Sequence, residues 1–209
     1  MFNRLELAES DLREHSQTLP YVWGRRQGDQ FDGMTRDIYR INSLNELLSK
    51  YPNDNSELSR YAHNRWFNHK SAMAVEDIFC QHPNVRPESN KRNNLVDFYI
   101  NNIPYDHKTT VIPNSMKRRV SEIGTERFDI DLIRWLYKNQ SSGMRYHLSN
   151  RIFIVVVNSQ DLDLSWRVKA ELSLISSKID DFFKGGRFYN FKCEKTGTRF
   201  SSGIIFVTV

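Results

Sequence analysis

With only two cysteines in 209 residues, the chain has too few for a disulfide framework. Cys80 and Cys193 fall in different elements and belong to no CxxC or Cys/His metal pattern, so both read as free thiols of a reducing compartment. The opening Met1-Phe2-Asn3-Arg4-Leu5-Glu6 carries no apolar leader, and no hydrophobic run approaches a membrane span. In that setting the single sequon, Asn139-Gln140-Ser141, carries no meaning. Internal repeats and low-complexity tracts are missing as well. These absences argue against a secreted scaffold, a membrane protein and a repeat array, and the expectation is a cytoplasmic protein. What remains is globular in composition, with 39% hydrophobic and 26% charged residues. The length suits one domain with a real core. A net charge of +5 and a pI near 9.2 favour a polyanionic partner without demonstrating one.

The informative stretch runs from Leu95 to Thr110. It reads as two strands joined by Asn101-Asn102, because Asn tolerates the positive φ of a two-residue type I′ turn. That register sets Ile100 against Ile103, Tyr99 against Pro104, Phe98 against Tyr105 and Asp97 against Asp106. Asp97 and Asp106 become a close, non-hydrogen-bonded pair on one face, with Cβ atoms about 4.5–5.5 Å apart. Lys108 projects from the same face as the diagonal neighbour of Asp97. Opposed carboxylates repel, so a shared proton or a cation must offset the pair. A hard divalent ion is held by carboxylates, water and substrate phosphate oxygens, and a lysine beside it can orient water and stabilise developing charge. The hairpin alone thus suggests metal-assisted phosphodiester hydrolysis. It is equally compatible with an exposed edge on which Lys108 neutralises two aspartates.

Around this stretch the chain alternates elements. Residues 1–20 suit a polar helix, and Tyr21-Val22-Trp23-Gly24-Arg25-Arg26-Gln27-Gly28 mixes aromatics with arginines. Asp37–Ile41 suits a short strand, and Ser43-Leu44-Asn45-Glu46 is a capping box opening a helix through Lys50. Asp54-Asn55-Ser56-Glu57 starts a helix through about Cys80. On it, Glu76 lies three or four residues from Ala72, Met73, Phe79 and Cys80, on or beside the apolar stripe, while Asp77 points about 100° away. A short strand near Asn84–Arg86 and a basic loop with Lys91-Arg92 lead to the hairpin. Lys117-Arg118-Arg119 then forms a basic cluster that could grip phosphates or simply face solvent. A helix from Asp129 to about Asn139 is followed by Ser141-Ser142-Gly143, which breaks the chain. The apolar run Ile152–Val157 suits a strand covered on both faces. A helix from about Leu164 to Phe183, ended by Gly185-Gly186, precedes strands at Arg187–Cys193 and Ile204–Val209 joined by a turn at Gly197.

Asp97, eight residues, then Asp106-His107-Lys108, set in the order helix, short strand, hairpin, helix, buried strand, helix, resembles the PD-(D/E)XK nuclease superfamily. Val96 stands where that motif usually has proline. The resemblance covers residues 54–183. It implies an α/β fold with a restriction-endonuclease-like α-β-β-β-α-β core, a mixed central sheet flanked by helices. Residues 1–53 would be an N-terminal helical and loop elaboration, and residues 184–209 a C-terminal β-hairpin, all within one nuclease-like domain.

The resemblance implies a Mg²⁺-dependent endonuclease, with Mn²⁺ an expected substitute and DNA the expected partner. Asp97, Asp106 and the His107 backbone carbonyl would hold the ion, Glu76 would support it or its water shell, and Lys108 would activate the attacking water. The His107 ring should point to the opposite face of the sheet. Lys91, Arg92, Lys117, Arg118 and Arg119 are the candidate phosphate contacts. Cutting both strands of a duplex often calls for two sites, which admits a homodimer. A catalytically silent nucleic-acid binder of the same fold, a hydrolase of another phosphate and a non-nuclease interaction module remain open, and RNA is not separated from DNA.

Overall fold

The computed structural model describes residues 2–18, 30–90, 93, 95–139, 149–193 and 196–209. The segment 21–28, Lys91 and Arg92, and Ser141-Ser142-Gly143 lie outside the described residues. The chain divides into two compact units, Met1–Val75 with Ala170–Ser173, and Glu76–Lys169 with Leu174–Val209.

The first unit is helical: α1 (Phe2–Thr18), α2 (Gln30–Met34), α3 (Leu44–Lys50) and α4 (Glu57–Phe79) as far as Val75. The box at Ser43 forms. Its hydroxyl accepts the Glu46 N–H at 3.2 Å, and the Glu46 carboxylate accepts the Asn42 N–H at 2.8 Å. Helix α4 is capped two residues after the first acceptor, because Ser56, whose own N–H is taken by Asp54, accepts the Ser59 N–H at 3.2 Å. The strand expected at Asp37–Ile41 is instead a 3₁₀ turn, Arg36–Arg40. The buried residues there are Thr35, Ile38 and Ile41, a spacing of three that fits 3₁₀ geometry and not the alternation of a strand. Beside Trp66 and Phe67 lie two buried histidines. The His15 ring sits 5.6 Å from that of His63 and stacks on Phe67 at 5.1 Å.

The second unit is built on a mixed six-stranded sheet: β1 (Val85–Pro87), β2 (Phe98–Ile100), β3 (Ile103–Val111), β4 (Arg151–Val157), β5 (Phe188–Lys192) and β6 (Arg199–Thr208). Their order is β1-β2-β3-β4-β6-β5, with β4 parallel to both β3 and β6 and the other pairings antiparallel. The parallel β3–β4 pair needs a crossover, which α5 (Glu126–Asn139) supplies. Every residue of β4 is buried, as an apolar strand covered on both faces should be. On one face Phe153, Val155 and Val157 pack with Phe128, Leu132 and Leu136 of α5. On the other, Phe79 from the last turn of α4 stacks on Phe98 at 4.7 Å. There a Cβ on Gly203 would come within 2.7 Å of the Phe182 ring, so glycine lets that ring lie against β6. The C-terminal strands expected as an appendage are part of this sheet, because β6 inserts beside β4 and β5 pairs outside it.

The single helix expected from Leu164 to Phe183 is two elements, a 3₁₀ helix at Leu162–Ala170 and α6 (Leu172–Gly185). Glu9 of α1 explains the break. Its carboxylate accepts the Ser173 N–H at 3.3 Å and the Ser173 hydroxyl at 2.5 Å, satisfying a first-turn donor of α6. Among the described residues no helix is long and apolar enough to cross a membrane.

Candidate functional site

The hairpin turns on Asn101 (φ 49°) and Asn102 (φ 66°), both left-handed, and its register is the expected one. Asp97 stands one residue before β2 and leaves the regular ladder. Its N–H, which in a non-hydrogen-bonded pair would point away from β3, donates to the Tyr105 carbonyl at 2.9 Å. Asp97 Oδ2 accepts the His107 backbone N–H at 2.8 Å and lies 2.7 Å from His107 Nδ1. The His107 ring itself faces away from Asp106, beside the stacked pair of Phe98 at 6.0 Å and Phe79 at 6.1 Å.

Asp97 and Asp106 lie near enough for each to act on the charge of the other. Burial raises the pKa of both, yet they part company. At Asp97 the His107 hydrogen bonds and charge outweigh burial and bring it down to about 2. At Asp106 burial prevails over the Arg151 charge, the negative Asp97 adds to it, and the carboxyl rises to about 6. The pair therefore takes up its first proton, at Asp106, more readily than an isolated aspartate would.

Arg151, which sequence reasoning did not single out, is the cation of this site. The β3–β4 register sets it beside Asp106, and its guanidinium ion-pairs with Asp106 Oδ2. It is 8% exposed and heads the apolar strand β4. An arginine opening six apolar residues was a usable signal, since such a charge is rarely buried without a partner.

Lys108 lies on the same face of β3 as Asp106, two residues on, and is exposed. Its charge, after burial, lowers the pKa of the buried Lys169 ammonium to about 8. Lys169 was not singled out either, because it falls inside an amphipathic pattern.

Glu76 is half-buried and Asp77 exposed, in line with the stripe position of Glu76. Among the described residues no three His, Cys, Asp or Glu side chains gather as a metal-binding group. Burial, then the charges of Glu76, Asp77 and Asp97, push the Cys80 thiol up to about 11, which leaves no thiolate for cysteine chemistry.

Of the basic candidates described, Lys117 is paired with Asp163, and Arg119 binds Glu122 at 2.8 Å and Asp131 at 3.0 Å. Arg118 is exposed. Lys91 and Arg92 lie outside the described residues. The chain matches no family profile, no curated protein and no solved structure.

Proposed function

We propose that the protein is a divalent-metal-dependent nuclease that hydrolyses phosphodiester bonds, with DNA as substrate, on a restriction-endonuclease-like core. The observation that carries this reading is the nearness of Asp97, held by His107, to Asp106, held by Arg151, with Lys108 on the Asp106 face. The donors suit Mg²⁺ or Mn²⁺. They are hard oxygens, two carboxylates usually suffice beside water and phosphate, and the pair's mutual repulsion is relieved by a cation. The N–H and C=O of one strand residue point to the same edge, so the His107 carbonyl opens where Asp97 lies and completes an all-oxygen set. A bound ion would supply a Lewis acid and lower the pKa of the attacking water. The chain's own groups have separate tasks. His107 fixes the Asp97 carboxylate, Asp106 presents its second oxygen while Arg151 holds the first, and Lys108 places positive charge where the phosphorane charge develops.

The Arg151–Asp106 ion pair favours one rival, a silent nucleic-acid binder in which the guanidinium stands in permanently for the metal. Incubation with plasmid and with single-stranded, duplex and branched oligonucleotides at low salt with Mg²⁺ separates the two. Cleavage lost in Lys108→Ala supports the nuclease, binding without cleavage supports the rival, and neither binding nor cleavage rejects both.

A further inference from the structure

We propose that Arg151 is a positioning residue that serves as resident counter-cation of the aspartate pair, and that a divalent ion must share or displace it, so that the ion binds tightly only together with a phosphodiester. This rests on the nuclease reading above.

Arg151 is anchored at its backbone and not at its full side chain. Its carbonyl accepts the Ser202 hydroxyl at 2.9 Å, and the neighbouring Asn150 carbonyl accepts the Asp106 N–H at 3.1 Å. The guanidinium carbon lies 5.7 Å from the Tyr137 ring and 5.8 Å from that of Phe153, aromatic faces that a cation can slide across. A terminal nitrogen meets Asp106, but Nε is buried with no hydrogen-bond partner. An arginine kept only for stability at such depth would have its donors satisfied. The idle Nε–H is a donor in reserve, available when the guanidinium turns from the carboxylate to a phosphate oxygen.

Charge counting leads to the same place. Once Asp106 gives up its proton, the two aspartate charges stand against the positive charges of Arg151 and Lys108. A divalent ion entering that site alone meets repulsion from two fixed cations. A phosphodiester brings the missing negative charge, so metal and substrate help each other, and the help is reciprocal.

The test is Mn²⁺ binding, measured by calorimetry and by electron paramagnetic resonance, to the full chain with and without a duplex oligonucleotide. Arg151→Gln should bind Mn²⁺ alone about tenfold or more tighter than wild type, because one nearby repulsive charge is gone. It should also lose most of the tightening that the duplex produces in wild type. Arg151→Lys, which keeps the charge, should stay close to wild type. Equal Mn²⁺ affinity in wild type and Arg151→Gln, with binding abolished by Asp97→Asn/Asp106→Asn, overturns the inference and leaves the metal centre standing. No Mn²⁺ binding to wild type or Arg151→Gln, with or without the duplex, removes the metal centre and the inference with it. If Arg151→Gln does not fold, wild type still decides the matter. Saturating Mg²⁺ with duplex should move the Arg151 Nε–H nitrogen resonance, and an unmoved resonance overturns the proposal.

Discussion

One oxygen of Asp97 serves two donors of His107, the backbone N–H at 2.8 Å and ring Nδ1 at 2.7 Å. The histidine thus holds the aspartate from the far face of the sheet, with its ring packed beside the stacked rings of Phe79 and Phe98. Replacing it loses both the packing and the hydrogen bond. His107→Ala should destabilise the protein by about 2–4 kcal/mol in urea unfolding. It should also weaken metal binding, even though the backbone carbonyl remains. His107→Asn, whose amide can still donate to Asp97, should recover part of the metal affinity. Metal affinity that ignores both variants would make the contact purely architectural.

Lys108 is one positive charge among many for a polyanion, yet it stands on the Asp106 face where charge develops. Lys108→Ala should keep oligonucleotide binding within several-fold while cleavage falls by a factor of about 10²–10³. Arg118→Glu should do the reverse, weakening binding and its salt dependence while turnover at saturation persists. Lys117 and Arg119 are already committed to Asp163, Glu122 and Asp131, so their replacement should cost less binding than that of Arg118.

Asp106 gives the metal-free protein a pH dependence of defined sign. Its carboxyl is harder to ionise in the fold, at about 6, than at its ordinary value of 3.8. Its contribution to stability is therefore full below the lower value and is lost as pH rises through the upper one. Asp106→Asn, which also strips Arg151 of its partner, should start out less stable than wild type at acid pH. The gap should then narrow between about pH 4 and 7, the interval set by those two values. Parallel unfolding curves for the two proteins across that range would count against a shared proton. Mn²⁺ together with a duplex oligonucleotide should restore the stability that wild type loses.

His15 works in the opposite direction. Burial, then the His63 charge, push its pKa from 6.5 down to about 3, so the ring folds neutral. Stability is full above the higher value and declines as pH falls below it, since the unfolded chain takes up a proton that the fold refuses. Neither ring nitrogen makes a hydrogen bond of ordinary geometry. His15→Phe should extend the stack on Phe67, gain about 1–2 kcal/mol at neutral pH and flatten the acid limb. A loss of stability at neutral pH would mean that the imidazole has a polar partner after all.

The hairpin was legible because its information is local. Asn101-Asn102 fixes the turn, and period-two alternation fixes which side chains meet. The apolar run Ile152–Val157 announced a buried strand for the same reason. Arg151 was hidden by distance, since the parallel register that brings it to Asp106 depends on a crossover that no short window contains. The split between Ala170 and Leu172 was hidden likewise, as no glycine or proline marks it and the group that bonds the first turn of the second helix, Glu9, lies far along the chain. At Arg36–Arg40 the error was one of period, three residues read as two.

The parallel union of β3 with β4 also imposes a sequence of events on folding. The β2–β3 hairpin closes on a two-residue turn and can form in about 1–10 μs. Its two aspartates then stand side by side with their partner on β4 still undelivered, because Arg151 arrives only after the α5 crossover is made. Neutralisation of the dyad is thus among the last steps and coincides with the slow, non-local pairing that limits such topologies. Refolding should accordingly quicken at mildly acidic pH, where Asp106 is protonated, and the acceleration should vanish in Asp106→Asn.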